Sequence, residues 1–151
     1  MKTRRDMLAT SAKVAALLAG AGLLPQTANA WTQAAFEARS IADAIKALGG
    51  GAPTESADVV ITGPDIAENG AVVPVGVSTN LPGVKRLAVL VEKNPSNLAA
   101  VFDVSDSVEA SFNTRVKMGQ SSNVLAVALM NDGRVLFSQK EIKVTLGGCG
   151  G

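Results

Sequence analysis

The 151-residue chain has no histidine and a single cysteine. A zinc or copper site would need imidazole or paired thiolates, and a cysteine nucleophile would need the imidazole that ordinarily activates it, so both classes are excluded. Without a second cysteine there is no intramolecular disulfide. Aromatic residues make up only 3% and the formal charge is +1. Lys2, Arg4, Arg5 and Lys13 against Asp6 concentrate positive charge in the first thirty residues, which leaves the remainder slightly acidic. An acidic, aromatic-poor body gives no support for nucleic-acid binding.

What is present describes one ordinary domain. With 47% hydrophobic and 18% charged residues, the chain can bury a core and shows no sign of general disorder. Residues 1–30 read as an export signal: a basic start, an apolar stretch from Val14 to Leu24, Pro25 as a breaker, and Ala28-Asn29-Ala30 as a small-residue cleavage site. The apolar stretch is shorter than the roughly 20 residues that span a bilayer, so no membrane anchoring is expected. Thr3-Arg4-Arg5-Asp6-Met7-Leu8 is similar to the twin-arginine signal, with Met7 where Phe is usual. An ordinary secretory signal that happens to carry Arg4 and Arg5 is the alternative. The twin-arginine route carries folded cargo, and a chain without the usual metal ligands would travel with a folded protein partner.

From Thr32 to Leu48, Ala34, Ala38, Ile41, Ile45 and Leu48 recur at helical spacing, with Thr32 as the N-cap and Gly49-Gly50-Gly51 as the stop. Such a helix either lies on its own domain or binds a partner. The pattern then changes. Short runs rich in Val, Ile, Leu and Thr cover Asp58–Thr62, Ala71–Thr79, Lys85–Lys93, Ala99–Val104, Val108–Met118, Asn123–Met130, Arg134–Ser138 and Glu141–Leu146. Asn131-Asp132-Gly133 marks a hairpin between two of them. About seven closely spaced strands predict an all-β, immunoglobulin-like antiparallel sandwich over residues 31–146, with an N-terminal helix. Pro74 removes a ladder donor and predicts an edge or bulged strand. The pairs Lys85/Arg86 and Arg115/Lys117 form either a basic patch or merely solvated strand faces.

The lone thiol, Cys149, lies within Gly147-Gly148-Cys149-Gly150-Gly151. A buried structural cysteine needs neighbours to pack on, and glycines supply none. An unpaired cysteine in an exported chain implies intermolecular pairing or a free reactive thiol. If the last strand ends near Leu146, three residues lead to Cys149, and an extended chain would set the sulfur roughly 10 Å clear of the domain. Gly147, Gly148, Gly150 and Gly151 would keep that arm thin and flexible, although glycine-rich ends are often just loose. No cation is close in sequence: Lys143 is six residues back. A thiol near its reference pKa of about 8.5 is only slightly ionised at neutral pH, so reactivity must come from whatever receives it.

Together these residues resemble the SoxY family, the sulfur-carrying subunits of the periplasmic thiosulfate-oxidising (Sox) system. The resemblance runs from the signal to the terminal pentapeptide, which matches residue by residue from Gly147 to Gly151. It implies a periplasmic carrier rather than an enzyme, with no cofactor of its own, whose Cys149 holds S-thiosulfonate and persulfide intermediates. It implies a heterodimer with a SoxZ-like subunit. It further implies transient docking with the SoxXA cytochrome, the SoxB dimanganese hydrolase and, where present, the SoxCD molybdenum-haem dehydrogenase. Two other readings of the residues stand beside it. The chain could be an interaction module that Cys149 staples to a partner by an intermolecular disulfide. A thiol-dependent enzyme would lack the usual base.

Overall fold

The segment that reads as a single helix folds as two, α1 (Gln33–Glu37) and α2 (Ile41–Ala47). The computed structural model describes residues 33–147; the Thr32 cap, the expected export signal with Arg4 and Arg5, and Gly148, Cys149, Gly150 and Gly151 lie outside them. Ser40 makes the break. It is extended (φ −139°, ψ 151°), and its Oγ accepts the Asp43 N–H at 3.1 Å, which caps α2. The break shifts the buried face: Ala35, Ala38, Ala44, Ile45 and Leu48 are buried, whereas the expected Ala34 is exposed. At the other end of α2, Gly49 N–H bonds the Lys46 carbonyl and Gly50 N–H the Ile45 carbonyl, both at 2.9 Å, with Gly49 at φ +84°. Gly50 is required for space instead. A Cβ there would stand 2.8 Å from Ile45 Cγ2 and 2.9 Å from Val135 Cγ2.

Nine strands follow among the described residues: β1 (Pro53–Glu55), β2 (Val59–Thr62), β3 (Ile66–Asn69), β4 (Val73–Thr79), β5 (Val84–Val91), β6 (Leu98–Asp103), β7 (Ser111–Val116), β8 (Ser122–Met130) and β9 (Val135–Leu146). The larger sheet has the order β1-β9-β8-β5-β6, with β3 also on β9, and the smaller is β2-β4-β7. All pairings among the longer strands are antiparallel, giving the immunoglobulin-like sandwich. β1 and β3 add two short parallel pairings along the free side of β9, which the expectation of a purely antiparallel sandwich omits. The runs Arg134–Ser138 and Glu141–Leu146 are one continuous strand, because β8 pairs with β9 from Leu129↔Val135 through to Ser122↔Ile142.

Two core layers explain the long apolar runs of β5 and β8. Leu87, Val89 and Val91 of β5 and Val124, Ala126 and Ala128 of β8 pack against Val59, Val73, Val75, Val77 and Val116 of the smaller sheet. The alternate residues Ala88, Leu90, Leu125, Val127 and Leu129 pack against Ala35, Ala44, Ile45 and Leu48. Strands covered on both faces lose the in-out alternation that a half-solvated sheet shows. The helices therefore lie on their own domain.

Three local readings meet the structure differently. The Asn131-Asp132-Gly133 hairpin forms, with Gly133 at φ +89° and Met130 N–H bonded to the Arg134 carbonyl at 2.9 Å. Pro74 is not in an edge strand, since β4 is the middle strand of the smaller sheet. It is tolerated because β2 ends at Thr62↔Gly76, so at Pro74 only β7 remains, through Pro74↔Arg115. Arg86 is withdrawn from any basic patch by a cross-strand bond from its Nε to Asp103 Oδ1 at 2.6 Å. Lys85, Arg115 and Lys117 are exposed.

Candidate functional site: the base of the C-terminal segment

Of the pentapeptide, Gly147 is within the described residues, and the structure shows how the chain is delivered to it. β9 is the longest strand, twelve residues from Val135 to Leu146. Its β8 ladder stops at Ile142, and other groups take over the last four residues. β3 pairs alongside them, from Ile66↔Lys143 to Asn69↔Leu146. Val144 N–H donates to Ser121 Oγ at 2.9 Å, and Thr145 Oγ1 donates to the Glu68 carbonyl at 3.1 Å. Gly70 N–H donates to the Leu146 carbonyl at 2.8 Å. The strand is thus held to its last residue, as the reading of a strand end near Leu146 expects.

Two turns border this end. Asn69-Gly70, between β3 and β4, is shaped by Asn69 Oδ1 accepting Ala71 N–H at 2.9 Å. The turn between β7 and β8 carries Met118 and Gly119, and Met118 N–H donates to the Gly70 carbonyl at 2.7 Å, which joins the two. Leu146, at 68% exposure, and Val72, at 53%, present apolar side chains to solvent here. Exposed Lys117, Lys143 and Glu68 add charge of both signs. Further back, Lys140 Nζ bonds Asp65 Oδ1 at 2.7 Å. That hydrogen bond, and then the Lys140 charge, hold the Asp65 carboxyl below its ordinary value.

Chemically this end offers a fixed platform for a chain segment rather than a pocket for a small molecule. Among the described residues no group of three or more His, Cys, Asp or Glu is placed to hold a metal ion. The sequence pointed to the pentapeptide but not to its supports. Ser121, Thr145, Gly70 and Gly119 read only as strand separators or strand ends, and β3 carries too short a pattern to stand out.

A small immunoglobulin-like sandwich whose longest described strand, β9, is followed in sequence by a single cysteine among glycines is the class that this fold and sequence define. The family model described as sulfur oxidation protein SoxY matches residues 45–149. The solved structure of the sulfur carrier protein SoxY from Chlorobium limicola f thiosulfatophilum is 32% identical, with a TM-score of 0.60, over 68% of this chain and 92% of that one. The chain belongs to the SoxY family. A superoxide reductase (neelaredoxin) from Ignicoccus hospitalis, 20% identical with a TM-score of 0.51 over 57% of this chain and 79% of that one, shares the fold alone. A comparison with curated protein sequences found no match.

Proposed function

We propose that this chain is a covalent sulfur carrier that holds intermediates of thiosulfate oxidation on Cys149 and presents them to separate enzymes. The observation that carries the reading is the SoxY family match, which continues past the end of β9 to residue 149 and so includes the thiol. The chemistry follows from the thiol. Joining the Cys149 sulfur to the outer sulfur of thiosulfate forms one S–S bond, releases one proton and yields two electrons, which a cytochrome of the SoxXA kind would accept. Water then cleaves the sulfur–sulfonate bond, releasing sulfate and a proton and leaving a persulfide; this is the step assigned to a SoxB-like hydrolase. A SoxCD-like dehydrogenase would oxidise the remaining sulfur. The chain itself supplies a nucleophile on a thin segment and no base, so each partner must supply its own activation.

The same reading places the mature chain in the periplasm after twin-arginine export and cleavage after Ala30. It pairs the chain with a SoxZ-like subunit, without a resident cofactor or metal. Intact-protein mass measurement on periplasmic material, before and after reduction, tests it. Reducible adducts whose masses correspond to one added sulfur or to thiosulfate support the carrier. A mixed-protein disulfide as the sole physiological form of Cys149 would instead make the segment a staple.

A further inference from the structure

Gly147 follows an anchored residue and is crowded on one side. The preceding residue is fixed by Gly70 N–H on the Leu146 carbonyl at 2.8 Å. On the crowded side the carbonyl of Gly119 lies so close that a Cβ on Gly147 would overlap it. The obstacle is backbone rather than the tip of a mobile side chain, so a substituent forces either the turn or the outgoing chain to move. Gly147 does not adopt a positive φ, so its lack of a side chain serves space and not backbone freedom.

The Gly119 turn has its own brace. Asn94, in the loop between β5 and β6, donates from Nδ2 to the Lys117 carbonyl at 2.7 Å and accepts Gly119 N–H on Oδ1 at 3.3 Å. Met118 between those two contacts is fully buried, and its N–H is spent on the Gly70 carbonyl at 2.7 Å. One side chain thus spans the turn with both halves of its amide, and the turn is tied to the Gly70 loop that grips Leu146. A turn fixed at three points is a wall, not a lid.

We propose that Gly147 is a fixed seat for the chain that runs on in sequence to Cys149, and that Asn94, acting through the Gly119 turn, is the positioning residue that sets where that seat lies and in which direction the backbone leaves it. Two chain steps instead of three then lead from anchored backbone to Cys149, about 7 Å of extended chain in place of roughly 10 Å. On the carrier reading, partner enzymes must approach the same end of the sandwich closely. The placement itself does not depend on sulfur chemistry.

Because Cys149 is the chain's sole thiol, a nitroxide attached there, with a second on Gln139→Cys at an exposed position of β9, reads the geometry by pulsed electron double resonance on the purified full chain. The expected result is one distance population whose mean moves in Gly147→Ala and stays in place in Gly148→Ala. Asn94→Ala should broaden the population and, combined with Gly147→Ala, remove most of the shift, since an unbraced turn can yield. A merely structural role would lower the thermal midpoint without moving the distance. Indistinguishable distributions for Gly147→Ala, Gly148→Ala and the unsubstituted chain would overturn the seat, as would simple additivity in the double variant. Should Gly147→Ala not fold, Asn94→Ala decides by broadening or not. A chain that proves to carry no sulfur leaves this test intact, whereas a loaded carrier with an unseated Gly147 overturns only the seat.

Discussion

One residue separates Cys149 from Gly147 in sequence, and among the described residues the core runs from Ala35 to Ile142. Cys149→Ser exchanges sulfur for oxygen between glycines that carry no side chain, so it should leave the thermal midpoint unchanged while abolishing thiosulfate-dependent electron flow through the reconstituted system. Turnover near that of the unsubstituted chain would end the carrier assignment. Gly148 lies one step beyond the seat and tests access instead of reactivity. Gly148→Val restricts the backbone and widens the segment without adding a charge that would move the thiol. Enzyme-catalysed loading should fall by more than tenfold while alkylation by a small reagent hardly changes, and the ratio of the two rates in variant and parent is the measurement. Cys149 and its glycines were singled out in the sequence because a cysteine amid glycines has few structural uses, and of these residues the structure describes Gly147, directly after β9. Gly119 and Asn94 were not, since their roles arise only when β7, β9 and the β5–β6 loop meet.

At the scale of elements, strand patterns carried the fold wherever a strand was long enough to alternate or to be wholly apolar. They failed where length or context removed the signal. β1 is three exposed residues, Pro53, Thr54 and Glu55, with no pattern to read. Gln139 and Lys140 look like a turn between two strands, yet β8 holds β9 straight past them. The apolar spacing of residues 32–48 concealed Ser40, whose hydroxyl competes for the helical backbone and splits the helix. Ser40→Ala should lower stability by about 1 kcal/mol, the usual cost of a lost N-cap, measured by urea denaturation. Gly50→Ala should cost about 1–3 kcal/mol in the same assay, because Ile45 and Val135 cannot both retreat from a new methyl. The Asp65–Lys140 pair has a pH signature of known sign. Its carboxyl is held below the ordinary value, so its contribution is complete above the unfolded carboxylate range near pH ~3.9 and lost as pH falls through the lowered folded value. Asp65 is 89% exposed, so salt should weaken the effect. Nuclear magnetic resonance titration of the Asp65 carboxyl should show a depressed midpoint that Lys140→Met restores; an equal midpoint in both would mean that the pair does not persist.

For the whole molecule, both faces of β5 and β8 are already covered by the chain itself, one by the smaller sheet and one by the helices. Assembly with a second subunit therefore does not require those faces. The carrier and staple readings then differ in what the thiol contributes to assembly. A partner that binds only the folded chain raises its apparent stability by mass action, by about 2.7 kcal/mol when present at a hundred times its dissociation constant. For a carrier, that rise should be the same in Cys149→Ser as in the parent, since the thiol segment is left free for enzymes while the sandwich holds the partner. For a staple, the substitution should remove the linkage and much of the rise, and a reducing agent should do the same to the parent. The deciding measurement is the thermal midpoint of parent and Cys149→Ser, each titrated with the SoxZ-like subunit from the same host with and without reductant. Equal midpoint shifts in all four series would leave assembly to the sandwich and Cys149 to sulfur. A shift that vanishes with the thiol, or with reduction, would make the pentapeptide a covalent fastening and the carrier assignment wrong.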